Sequence, residues 1–149
     1  KMLDALNLQN DELVLHIGSG YGYSAAIIAH IAQAVVALEA DEAMVADAQT
    51  VLSDAGADSV IMNAGPLEAG VAEHGPYDVI TIQGGVEAVP VAIIDQLKEG
   101  GRIAALFMTG ALGEVRIGRK IDGQMNWRLA FNASAPVLPG FSKARDFAL

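Results

Sequence analysis

The feature that most constrains this chain is a series of short apolar runs set apart by helix-length segments. "ELVLHI", "AVVALE", "DSVIMNA", "YDVITIQ" and "GRIAALFM" are each strand-length and mostly apolar, without polar–apolar alternation along most of their length. A strand apolar on both sides is buried on both faces, as in a parallel sheet covered by helices. Between the runs, the alanine-rich stretch from Tyr21 to Ala34 reads as a helix. A second helix runs from a cap at Asp41 to about Ser53, and a third from Val89 to Leu97, closed by Gly100 and Gly101. Strand and helix repeated in this way give an α/β, doubly wound, mostly parallel sheet with right-handed crossovers. The pattern breaks near the end, where "EVRIGRK" and "QMNWRLAF" flank Asp122-Gly123, the signal of a tight antiparallel hairpin at the sheet's edge. Lys1 to Leu8 reads as a short helix, and "APVLPGF" (Ala135 to Phe141) as an extended tail strapped across the sheet.

At 149 residues the chain suits one domain, and 52% hydrophobic against 18% charged residues make it globular. A net charge of −9 argues against a nucleic-acid partner, which calls for a basic face. Arg116, Arg119 and Lys120 read as the solvent face of one strand. No apolar run approaches a membrane span and no signal peptide is visible, so the expected setting is cytoplasmic, without a membrane partner. Zero cysteines exclude disulfides and thiolate chemistry, and the three histidines share no metal-like spacing, so no metal is expected. The chain enters on "KMLDAL", which looks like a helix already under way, and so reads as a piece of a longer protein.

In a doubly wound sheet ligands sit beyond the carboxyl ends of the strands, where strand order reverses. The turn after the first strand carries Gly18, Gly20 and Gly22, which let backbone approach a ligand at a helix start. Glu39 ends the second strand, where a carboxylate can accept from ribose hydroxyls. Loop and acid together point to an adenosine-containing ligand. Spacing does not choose between a nicotinamide cofactor and S-adenosylmethionine, although Tyr23 stands where a dinucleotide loop has its third glycine. Asp78 reads as a turn or capping group, and Trp127 and Phe131 as packing residues.

Four stretches resemble the protein-L-isoaspartate O-methyltransferases: "KMLDALNL", "ELVLHIGSGYGYSAAIIAHI", "VVALEADEAM" and "EHGPYDVITIQGGVEAVPVAIIDQLKEGGRI". The likeness runs from Lys1 to about Lys120. It implies a seven-stranded, Rossmann-like methyltransferase sheet, S-adenosylmethionine as cofactor, and methyl transfer to isoaspartyl carboxylates in damaged proteins or peptides. Carried over residue by residue, it implies cofactor contacts from Gly18, Ser19, Gly20, Tyr21, Gly22 and Glu39. Ala40 and Leu67 would flank the adenine, and Gln83, with Gly84 and Gly85, would lie by the methyl-transfer site.

Two of the family's acids are replaced. The acid before the loop, which holds the methionine end of the cofactor, falls on His16. The acid of the "GDG" after the third strand falls on Gly65, Pro66 and Leu67, where Pro66 lacks even a backbone N–H. Each lost bond to a charged group is worth roughly 1.5–3 kcal/mol, so binding is expected to weaken about a hundredfold or more unless other groups substitute. His16 is either a strand-end histidine held by backbone or water, or a neutral ring accepting from the cofactor's ammonium. The second reading predicts binding that weakens as pH falls through the imidazole range. The family's substrate clamp precedes the segment that "KMLDAL" resembles, so this chain is expected to be inactive by itself. The alternative is a non-catalytic methyltransferase-fold binding module with a degenerate cofactor site. A nicotinamide-dependent dehydrogenase is a distant third.

Overall fold

The computed structural model describes residues 2–143. Its elements, in order, are α1 (Met2–Leu6), β1 (Leu13–Ile17), α2 (Tyr23–Ala29), β2 (Ala34–Glu39), α3 (Glu42–Asp54), β3 (Val60–Ala64), β4 (Tyr77–Val86), α4 (Val91–Ile94), β5 (Leu97–Thr109), β6 (Leu112–Ile121) and β7 (Gln124–Asn132). Two single 3-10 turns, Leu67–Ala69 and Ala72–His74, connect β3 to β4. Lys1, expected in the first helix, lies outside the described residues.

One seven-stranded sheet runs in the order β3-β2-β1-β4-β5-β6-β7. The first five strands are parallel, and β6 and β7 follow antiparallel. Each central strand is buried on both sides, as its continuous apolar sequence requires. Leu15, Ile17, Val36, Leu38, Ile80 and Ile82 face one way, onto Tyr77, Ile93 and Phe141. Val14, Val35, Ala37 and Val79 face the other, onto Leu6, Ala25, Ile28 and Leu52. The chain leaves β1 toward β2 and returns from β3 to the far side of β1, so strand order reverses between β1 and β4.

Two helices are shorter than the sequence suggests, for tertiary reasons. The α2 helix starts only after Gly22 (φ 90°) and ends by His30. Gln33 and Ala34 then donate to the Glu12 carbonyl, which draws the chain into the sheet. The α4 helix is cut to one turn after Pro90. Lys120 Nζ donates to the carbonyls of Ile94 (3.1 Å) and Leu97 (3.0 Å), and Leu97 already pairs with Tyr77 in the sheet. The expected single solvent face of Arg116, Arg119 and Lys120 is also corrected. Arg116 lies 5.0 Å over the Phe107 ring and pairs with Glu114. Arg119, adjacent to Lys120 and so on the opposite face, donates to the Gly100 carbonyl.

The hairpin forms where Asp122-Gly123 places it, with φ of 53° and 75° at the two turn residues. The Glu99 carboxylate accepts from both turn amides and fastens the hairpin to the β4–β5 side of the sheet. Asp78 accepts from the Leu13 amide at 2.9 Å and pairs with Lys98, a structural role. Trp127 packs edge-on against Phe107. The tail is a strap: Val137 bridges Gly85, with Gly85 donating to Pro136 and Leu138 donating back to Gly85. Phe141 is fully buried beneath the sheet.

Arg102 holds α1 in place. Its guanidinium forks onto Glu12 at 2.6 and 2.8 Å, and it also donates to the carbonyls of Leu6 (2.7 Å) and Asn7 (3.0 Å). Both side chains are only 13% exposed. The Arg102 hydrogen bond holds the Glu12 carboxyl below its ordinary range. Arg102→Ala strands a mostly buried carboxylate and is expected to cost roughly 2–4 kcal/mol. Urea denaturation should show that loss, and limited proteolysis should show cleavage near Asn7 before the sheet is cut.

Candidate functional site

The glycine loop is drawn over the end of β2. Gly18 and Ser19 both donate to the Leu38 carbonyl, at 2.9 and 3.2 Å. Gly18 (φ 79°) also lies so close to β4 that a Cβ there would stand 2.9 Å from the Gln83 carbonyl oxygen. Gly20 donates to Glu39 Oε1 at 2.9 Å, and Asp41 donates to Glu39 Oε2 at 2.9 Å. Glu39 is 9% exposed, so both oxygens are fixed by backbone and the carboxylate has no freedom to turn away. A carboxylate has about four acceptor positions. Two are filled, which leaves one on each oxygen for a pair of neighbouring hydroxyls. The space beside Gly20 is open: a Cβ there would meet nothing within 4 Å.

The remaining expected contacts divide. Tyr21 is half exposed and Ala40 is exposed, both beside the loop–Glu39 junction in the chain. Ser19 is buried, with Oγ directed at Met62 Sδ, 4.0 Å away. Pro66 is exposed and starts the 3-10 turn. Leu67 does not offer an adenine-facing side chain: it is 5% exposed and packs into the core with Leu38 and Val71. Gln83 is exposed at the end of β4.

His16 finds a partner that its position in the sequence does not announce. It stands directly opposite Thr81 in the parallel β1–β4 register, with Nδ1 2.5 Å from Thr81 Oγ1. Its Nε2 is buried and has no partner. Burial pushes the ring down to a pKa of about 4. The expectation of cofactor binding that fades between neutral and mildly acid pH is therefore corrected, because the ring stays neutral throughout that range. Leu138 is a second residue that sequence reasoning misses. It lies against the end of β4, where a Cβ on Gly84 would stand 2.5 Å from it. Aligning "VLHI" (14–17) with "VITI" (79–82) reveals the His16–Thr81 pair, whereas no local signal marks Leu138. Among the described residues no three His, Asp or Glu side chains gather as a metal site, and no helix is long and apolar enough to cross a membrane.

A parallel sheet reversing between β1 and β4, a glycine loop after β1, a fixed acid after β2 and two antiparallel closing strands define a methyltransferase-fold protein. The family model for protein-L-isoaspartate(D-aspartate) O-methyltransferase matches residues 1–125. The chain is 36% identical over 131 residues to protein-L-isoaspartate O-methyltransferase 2 of Polaromonas sp. strain JS666, covering 85% of this chain and 61% of that protein. It is 34% identical over 143 residues to the enzyme of that family from Xanthobacter autotrophicus, covering 93% of this chain and 64% of that one. A solved protein-L-isoaspartate O-methyltransferase superposes with a TM-score of 0.86 at 28% identity, over 93% of this chain and 45% of the other. The chain belongs to the protein-L-isoaspartate O-methyltransferase family. It spans less than two thirds of the length of these relatives.

The buried ring of His16 predicts a pH effect on stability. An unfolded histidine titrates near 6.5 and the folded one near 4, so below 6.5 the unfolded chain takes a proton that the folded chain refuses. The stability contributed by neutral His16 is present above pH 6.5 and is lost on descending to about 4, by roughly 3 kcal/mol. Denaturation curves across that range should show the wild type losing about 3 kcal/mol relative to His16→Leu as pH falls.

Proposed function

We propose that residues 1–149 are one methyltransferase domain of a protein that transfers a methyl group from S-adenosylmethionine to isoaspartyl carboxylates of damaged proteins or peptides in the cytoplasm. The observation that carries this is Glu39. Its two free acceptor positions, held rigid by the Gly20 and Asp41 amides, match the vicinal hydroxyls of a ribose. The open side of Gly20 gives backbone-close access to the same place. A Plasmodium falciparum protein described as a member of this family, solved in complex with S-adenosyl-L-homocysteine, shares the fold with a TM-score of 0.78 at 18% identity.

In this reading Gly18, Ser19, Gly20, Tyr21 and Gly22 line the cofactor's amino-acid and ribose region, Glu39 takes the ribose, and Ala40 and Pro66 border the adenine. Gln83 stands beside the transferred methyl. The bound cofactor supplies an electrophilic sulfonium methyl. The protein's part is positioning, because a carboxylate acceptor is already ionised and needs no base. The cofactor end of that positioning belongs to this chain, and the longer relatives carry further residues that would contribute to the acceptor end.

Calorimetric titration with S-adenosylhomocysteine at mildly alkaline pH should show saturable binding. Glu39→Ala should weaken it about 10- to 100-fold, the value of one or two hydrogen bonds to a charged group. The whole protein should methylate an isoaspartyl peptide and spare the aspartyl isomer. A folded whole protein that binds no S-adenosylhomocysteine and methylates neither peptide would favour the non-catalytic reading instead.

A further inference from the structure

His16 and Thr81 are almost completely buried, at 2% and 1% exposure, and the bond between them is the one hydrogen bond either side chain makes among the described residues. Counting donors fixes its direction. If Nδ1–H donated to Thr81, the threonine hydroxyl proton and the Nε2 lone pair would both be left unpaired. If the Thr81 hydroxyl donates to Nδ1, a single group remains, an Nε2–H without an acceptor. An orphaned buried group is costly, so the arrangement with one orphan prevails. The ring then cannot accept from an ammonium group. It needs an acceptor.

Both residues line a cavity of about 420 Å³. Leu3, Ile27, Ile31 and Leu106 wall it, with Ser24 and Gln83 as further hydrogen-bonding groups. Among the described residues no lysine or arginine lines it, and the one acid that does, Asp4, is exposed to water, which screens it. Neither Glu39 nor Gly18 to Gly22 borders the cavity, so it is set apart from the ribose position.

We propose that this cavity is a carboxylate subsite whose innermost donor is the Nε2–H of His16, oriented by Thr81. The inference rests on the methyl-transfer reading, in which two carboxylates are at hand: that of the cofactor's amino-acid end and that of the isoaspartyl acceptor. Neutral donors suit either. For the acceptor they carry an added benefit, since its oxygen lone pair forms the new bond to the methyl carbon while the carbon–sulfur pair withdraws onto sulfur, and no proton moves. Charge is annihilated in that step, so a fixed cation would hold the reactant more tightly than the transition state.

Long-range proton–nitrogen correlation spectra of the nitrogen-15-labelled whole protein test this directly. The free protein should show His16 protonated at Nε2 with a bare Nδ1. A shift of the Nε2–H on adding S-adenosylhomocysteine alone assigns the subsite to the cofactor's carboxylate. A shift that comes only with added isoaspartyl peptide assigns it to the acceptor. His16→Leu should then weaken the ligand that moved the signal by about 10- to 100-fold, and His16→Gln should restore most of the loss. Thr81→Val, close in shape, should release the tautomer without unfolding the sheet. A proton found on Nδ1, or an unmoved signal in a protein that methylates the peptide, overturns the subsite and leaves the methyltransferase reading standing. An unmoved signal with no methylation overturns both.

Discussion

The site depends on the double pairing of β1. Its register with β2 on one edge and β4 on the other fixes where two loops leave the sheet in opposite directions. Between those exits the backbone must come close to two neighbours at once, and only a residue without a side chain allows it. Gly18 meets that demand, touching the Leu38 carbonyl on one side and the end of β4 on the other. Glu39 then acts as a clasp, joining the loop to the start of α3 through two backbone amides. The acid expected to hold ribose is therefore also a structural residue. Its dual use explains how a carboxylate stays immobile at 9% exposure beside a mostly uncharged loop.

Much of this is legible in the sequence because it is local. Apolar runs without alternation mark the five parallel strands, Asp41 marks the start of α3, and Asp122-Gly123 marks the closing hairpin. Gly18 and Glu39 are legible because their offsets follow from one β–α–β unit. The errors arise where distant residues decide. Alanine content argues for a longer α2, but Glu12 draws Gln33 and Ala34 into the sheet. Leu97 reads as helical until Tyr77 pairs with it. The partner of His16 lies 65 residues away and is set only by strand register. The burial of Leu67 depends on the packing of the β3–β4 connection, which no periodicity reports.

The two departures from the family pattern differ in kind. Pro66, where the resemblance implies an acid, offers no backbone N–H at an exposed turn. His16, where the resemblance implies an acid, is a neutral ring inside the sheet bonded to the Thr81 hydroxyl. Burying an uncharged pair there avoids the desolvation cost that an ionised carboxylate would carry between two apolar strands.

The strap after β7 gives the molecule an order of assembly. Leu138 is carried by one of the last described segments of the chain, yet it packs against Gly84, within reach of Gly18, which emerges well before it in synthesis. During translation the strands from β1 to β5 can pair before that leucine exists. The end of β4 would then lack its cover until the hairpin had folded back and drawn residues 135–141 across the sheet. Covering the end of β4 is thus a late event on the ribosome, and any nascent chain halted before the strap would leave that end of the sheet bare.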